Sequence, residues 1–263
     1  VKLVGYPIAD NFIQQKIFLY LQQNYAFMSM TAIKQLAGDF TSLFFPNLCA
    51  ACNGHLLRGE VAICTACLIE CPRTFDEHDP VDNPAARVFR GRVQLQAAAS
   101  LFVFTKGGKV QELIHNLKYN GRKDAGIAAG KLFGNDLKNL TPFNTIDAVI
   151  PVPLHRDKLR KRGYNQAACF GEGIAQALGI PLYENGVLRL NATETQTRKN
   201  RTERWENVED VFTLNKKIDL RGKHILLVDD VITTGATIEA CAIPILAVGE
   251  TKLSVVSLAS ARN

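Results

Sequence analysis

The chain has 263 residues, with 31 Lys and Arg against 25 Asp and Glu, a net charge of +6 and 47% apolar residues. A charged fraction of 21% beside that apolar content excludes a disordered chain, and the length suits one large or two modest domains. No run approaches the roughly 20 apolar residues of a membrane span, since residues 17–20 are soon followed by Gln22, Gln23 and Asn24, and the mild positive excess points to an anionic ligand without naming it.

Residues 1–30 begin with Val1, contain Met28 and Met30, and lack the basic stretch, apolar run and cleavage site of a signal peptide. They are expected to be a leader, with translation starting at Met28 or Met30, and the protein is expected in the cytoplasm. Residues 31–45 then place Ile33, Leu36, Ala37, Phe40, Leu43 and Phe44 near one helical stripe, which Pro46 stops.

Five of the seven cysteines fall within 23 residues: Cys49, Cys52, Cys64, Cys67 and Cys71. Two Cys-x-x-Cys pairs, Cys49/Cys52 and Cys64/Cys67, can bring four thiolates to the corners of a tetrahedron, and zinc is the natural occupant. The 11 residues between the pairs allow a short hairpin, with Asn53-Gly54 and Arg58-Gly59 as turns. Disulfides are rare in the cytoplasm, and the two-plus-two spacing differs from that of ferredoxin clusters. Cys71 could replace Cys67 as a ligand, but the paired spacing favours Cys67 and leaves Cys71 as a packed or bystander thiol. Four protein ligands close the coordination sphere, so the expected role of this zinc-ribbon-like element over 31–75 is structural.

Residues 76–94 carry Pro80 and Pro84 with Asp76, Glu77, Asp79 and Asp82, a composition that reads as a linker. Apolar runs and amphipathic stretches alternate afterwards: a strand at 97–104, helices at 109–117 and 123–137, a strand at 146–150, a helix at 165–178, a strand at 225–228, a helix at 236–246 and a strand at 253–258. Strands separated by helices imply an α/β domain over 95–263 with a doubly wound parallel sheet, whose ligands gather at the carboxyl ends of the strands.

Residues 224–237 read HILLVDDVITTGAT: an apolar strand, the carboxylates Asp229 and Asp230, then a turn of Thr233, Thr234, Gly235, Ala236 and Thr237 that opens a helix. Two acids suit the hydroxyls of a ribose. Backbone N–H groups and threonine hydroxyls at a helix N-terminus suit its phosphate, with Gly235 permitting close approach. A Walker B strand would begin similarly, but neither Gly108-Lys109 nor Gly130-Lys131 has the earlier glycine and following hydroxyl of a Walker A loop.

The run VDDVITTGAT resembles the phosphoribosyl pyrophosphate (PRPP) motif of type I phosphoribosyltransferases. Further runs resemble the ComF family, competence-associated proteins that join a four-cysteine zinc element to such a domain: LKYNGR at 117–122, PVPLH at 151–155, RGYNQ at 162–166, and 196–204 followed by Asn207 and Phe212. The resemblance covers about 31–262 in the family's order. It implies a type I phosphoribosyltransferase-like fold, a PRPP or related phosphoribosyl ligand with Mg²⁺, and an association with DNA uptake.

Residues 155–162, HRDKLRKR, carry a local balance of +4 and follow a strand at the ligand-bearing edge. Arg156, Arg160 and Arg162, with Lys118, are the expected pyrophosphate or anion ligands. A second basic segment, Arg198, Lys199, Arg201 and Arg204, is similar to the loop that closes over the reacting centre of phosphoribosyltransferases. No general acid or base stands out among His115, His155 and His224.

Two functions compete. One is a transferase that displaces pyrophosphate from the ribose with an acceptor the sequence does not identify; the other is a non-catalytic PRPP or nucleotide sensor that engages single-stranded DNA or a competence partner protein. Between Cys49 and Cys71 the sole Lys or Arg is Arg58 and aromatics are absent, which gives little support for nucleic-acid contact by the cysteine element itself.

Overall fold

The computed structural model describes residues 47–190 and 212–261. The expected helix at 31–45 and the basic segment at 198–204 lie outside the described residues. The chain divides into the units Val1–Asn47 and Leu48–Asn263, so the cysteine element and the sheet fall in one unit.

The first cysteine pair sits on a tight loop. Leu48 bridges His55, the Cys49 N–H donates to the Gly54 carbonyl at 2.8 Å, and Asn53 takes a left-handed φ of 57°. The second pair spans the start of α1 (Thr65–Glu70), where the Cys64 sulfur caps the helix by accepting from the Cys67 N–H.

The segment expected as a linker is packed. Its approach runs antiparallel along β1 (Ala97–Phe104): Arg73 bridges Phe102, and the Val103 N–H donates to the Pro72 carbonyl at 2.8 Å. This contact covers an edge that would otherwise invite pairing. Pro84–Arg87 form α2, capped by Asn83, whose amide also donates to the Asp79 carbonyl at 2.8 Å and the Ala98 carbonyl at 2.6 Å. The prolines and acids of 76–94 therefore serve turns and caps while Ala85 and Phe89 enter the core.

After β1 come α3 (Lys109–Tyr119), α4 (Lys123–Leu137), β2 (Ala148–Pro151), α5 (Arg156–Arg162) and α6 (Gln166–Leu178), then β3 (Val187–Arg189), β4 (Phe212–Leu214), β5 (His224–Ile232), α7 (Ala236–Leu246) and β6 (Lys252–Ala261). Four strands form a parallel sheet in the order β1-β6-β5-β2, and β3 pairs antiparallel with β4. On one face Leu113, Leu117, Phe133, Phe170 and Ile174 pack with the cysteine element against Val228 and Val256; on the other, Phe89, Ile238, Cys241 and Ile245 pack against Ile150, Leu227 and Val255. This is the expected doubly wound arrangement.

Helices α4 and α6 approach closely because glycines face each other. A Cβ on Gly130 would stand 2.1 Å from the Phe170 carbonyl oxygen, and one on Gly173 would stand 2.1 Å from that of Ile127.

Two elements differ from expectation. Residues 156–162 form a helix although none is buried: Lys, Arg and Leu are good helix formers, His155 caps the N-terminus, Asp157 lies in the first turn and Arg160, Lys161 and Arg162 in the last, each favoured by the helix dipole. Strand β5 also outruns the expected 225–228. Pairing with β2 ends at Pro151–Val228, whereas pairing with β6 continues to Ile232–Ser260.

Candidate functional site

Asp229 and Asp230 lie in the part of β5 that outruns β2, both half-buried. The Asp230 N–H donates to Asp229 Oδ1 at 2.7 Å. Burial and the neighbouring Asp230 carboxylate push the Asp229 carboxyl up to about 8, against the smaller opposing effects of that N–H and of Lys118. Lys118, from the last turn of α3, lies 2.7 Å from Asp230 Oδ2.

The loop beyond the acids exposes Thr233 and Thr234, buries Gly235 at φ 74° and starts α7 with exposed Ala236 and Thr237. Gly235 occupies the N-cap and has no side chain, so no capping oxygen of its own takes the first-turn N–H groups. A Cβ on Gly235 would stand 2.7 Å from both Val88 and Phe89. Arg92 holds the same loop, donating from Nη1 to the Thr234 carbonyl at 2.7 Å and pairing through Nη2 with Glu239. Sequence reasoning missed Arg92 and Phe89, because 142 residues of chain separate Arg92 from Thr234 and no local pattern links them.

The four expected anion ligands do not converge as one group. Lys118 is paired with Asp230. Arg156 and Arg160 sit one turn apart on α5, Arg160 lying 3.7 Å from Asp157. Arg162 donates to Gln166 Oε1 at 2.7 Å, and its guanidinium lies 5.3 Å from the centre of the Tyr119 ring. Tyr119 is exposed and its ring lies 5.1 Å from that of exposed His115.

Arg156 also lines a cavity of about 570 Å³ between α5, α6 and β3, with Tyr164, Asn165, Glu172, Glu184 and Arg189. Asp229 to Thr237 form none of its wall, so the acidic pair and its loop are a separate, open site. Of the histidines, His155 caps α5, while His224 bonds Thr145 and Ser254, each at 2.8 Å; burial chiefly lowers its pKa, helped by Lys252. Its role is structural.

The sulfurs of Cys49, Cys52, Cys64 and Cys67 lie within 4.8 Å of one another, and none of the four is in a disulfide. Cys52 and Cys64 are 3.8 Å apart, close to the edge of about 3.8 Å for a tetrahedron whose centre lies about 2.3 Å from each sulfur. N–H groups of Ala51 and Cys64 point at the Cys49 sulfur at 3.4 and 3.3 Å. Burial raises the Cys49 thiol, but these donors outweigh it and bring it down to about 7. The four residues fit a metal ion, and Cys71 stands outside the set, buried behind it and pushed up to about 11 by burial.

The same helix serves both sites. Asn116 donates to the Ala50 carbonyl at 2.8 Å and Arg122, just beyond α3, to the Leu48 carbonyl at 2.7 Å, while Lys118 between them reaches Asp230.

Residues 165–261 match the family model described as a phosphoribosyl transferase domain. The chain is 26% identical over 206 residues to the DNA utilization protein YhgH of Salmonella typhimurium, covering 74% of this chain and 89% of that one. It is 34% identical over 127 residues to competence protein F of Haemophilus influenzae (48% and 56%) and 27% identical over 197 to competence protein ComFC of Bacillus subtilis (74% and 76%). Among solved structures, the glutamine PRPP amidotransferase of B. subtilis superposes with a TM-score of 0.36 at 21% identity, covering 54% of this chain and 30% of that one. With a four-cysteine element joined in one unit to the sheet that carries the acidic pair, the chain is similar to these DNA utilization and competence proteins and carries a phosphoribosyl transferase domain over residues 165–261.

Proposed function

We propose that the open site binds PRPP, with Asp229 and Asp230 accepting hydrogen bonds from the ribose hydroxyls and the Thr233–Thr237 loop holding the 5-phosphate. The observation that carries this reading is the sequence of two half-buried carboxylates and an N-cap glycine leading directly into the positive end of α7. Mg²⁺ on the pyrophosphate oxygens would offset their charge, with Arg156, Arg160 and Arg162 on the nearby basic helix. Lys118 already has an anionic partner, so it acts first by orienting Asp230 and only secondarily as a pyrophosphate ligand. In a transferase the bond from ribose C1 to pyrophosphate breaks, pyrophosphate leaves with the electron pair, and a nitrogen nucleophile forms the new bond to C1.

The metal at Cys49, Cys52, Cys64 and Cys67 is read as structural zinc, because the donors are all sulfur and complete the tetrahedron. No described helix is long and apolar enough to cross a membrane. The names of the DNA utilization and competence relatives support a cytoplasmic role connected with DNA utilization and competence.

A second reading rests on the surface around Tyr119. The exposed rings of His115 and Tyr119, 5.1 Å apart and tilted at 46°, lie beside Arg162 at the end of a helix with a balance of +4, a combination of aromatic rings and cations suited to single-stranded DNA. Incubation with Mg²⁺, PRPP and a panel of nucleobases, amines and single-stranded DNA, following pyrophosphate release, separates the two. Release that requires one acceptor establishes the transferase; PRPP binding without release, with DNA binding lost in Tyr119→Ala, establishes the adaptor.

A further inference from the structure

We propose that Arg92 is a positioning residue for the loop at 233–237, setting the Thr234–Gly235 peptide so that the Gly235 N–H faces a bound phosphate. The assignment rests on reading that loop as a phosphate site. The Arg92 guanidinium donates from Nη1 to the Thr234 carbonyl at 2.7 Å and to the Val88 carbonyl at 3.2 Å. Its Nη2 pairs with Glu239 in the first turn of α7.

In a planar trans peptide the C=O and N–H of one unit point in opposite directions. The Thr234 carbonyl is turned toward Arg92, so the Gly235 N–H is turned away from it, to the opposite side of the loop. Val88 and Phe89 close the Arg92 side, where even a Cβ on Gly235 would meet atoms at 2.7 Å. Residues 88–92 thus grip the loop from one side and leave its donors on the other. Glu239 occupies the second edge of the guanidinium, so Arg92 acts through the peptide and does not compete for the anion.

The test measures ribose 5-phosphate and Mg²⁺-pyrophosphate binding by calorimetry, alongside thermal melting, for the full chain and four variants. Arg92→Ala should weaken ribose 5-phosphate about tenfold, the value of one charge-assisted hydrogen bond, and leave Mg²⁺-pyrophosphate unchanged. Arg92→Lys, which keeps one donor for the Thr234 carbonyl, should restore most of the loss. Glu239→Gln should stay within about twofold of wild type. Equal losses for both ligands, or unchanged ribose 5-phosphate affinity in Arg92→Ala, would overturn the assignment. If Arg92→Ala does not fold, the two conservative variants decide: Arg92→Lys failing as badly as a Thr234→Gly, Gly235→Val loop variant, or Glu239→Gln losing tenfold, overturns it. A wild-type protein that binds neither ligand overturns the phosphate-loop reading itself.

Discussion

Lys118 and Asp230, contributed by α3 and β5, form a 2.7 Å ion pair with 21% and 17% of their side chains exposed. Removing one partner of such a half-buried pair leaves the other charge poorly solvated. Lys118→Met is therefore expected to lower stability by about 1–3 kcal/mol at pH 8, by denaturant titration. In an Asp230→Asn background the same substitution should cost less, and an equal loss in both backgrounds would show that packing of the lysine stem, and not its charge, matters.

Asp229 gives the protein its own pH dependence. Its folded value of about 8 lies above the ordinary 3.8, so the folded chain holds a proton that the unfolded chain releases. The associated stability is full below about pH 4 and is lost as pH rises toward about 8. Asp229→Asn should remove this slope, so that its melting temperature gains on wild type between pH 5 and pH 8 by about 2 °C or more. A difference that stays constant across this range would contradict the raised Asp229 carboxyl.

The carboxylates should also control the ligand. The double variant Asp229→Asn, Asp230→Asn is expected to abolish PRPP binding in calorimetry while retaining a cooperative thermal transition. Unchanged affinity would remove the acids from the binding site.

Metal analysis of the purified protein should find about one zinc per chain, and Cys49→Ser or Cys67→Ser should remove it. Because Ala50, Cys49 and Cys67 belong to the same core as Leu113 and Leu117, metal loss should also reduce hydrogen-exchange protection in α3. Iron in place of zinc, or a folded protein with no metal, would refute the four-thiolate site.

Gly173→Ala tests the packing of α4 on α6. With a backbone oxygen 2.1 Å from the new carbon, the helices must separate, and a loss of about 1–3 kcal/mol or more is expected in denaturant titration. A neutral effect would mean that the two helices slide apart freely.

The sequence disclosed what periodicity and short-range chemistry encode. Helix 236–246 has its expected bounds, and the cysteine spacing and the acid-to-loop order are visible in single short stretches. Its blind spots have physical causes. Residues 156–162 bury nothing, so no apolar stripe marks the helix and only its caps and charges could have signalled it. Phe89, Asn83 and Arg92 act on partners far along the chain, and around them the prolines and acids resemble a solvated connector. β5 continued past Val228 because pairing with β6 holds polar residues in extended form, which intrinsic preference does not foresee.

The unequal lengths of β2 and β5 have an evolutionary consequence. Past Val228 the acidic pair is registered by β6, while the basic helix hangs from the end of β2. The acidic pair and the basic helix are thus mounted on different rails. Insertions or exchanges in residues 152–162 can reshape the basic helix without shifting a single rung beneath the acids.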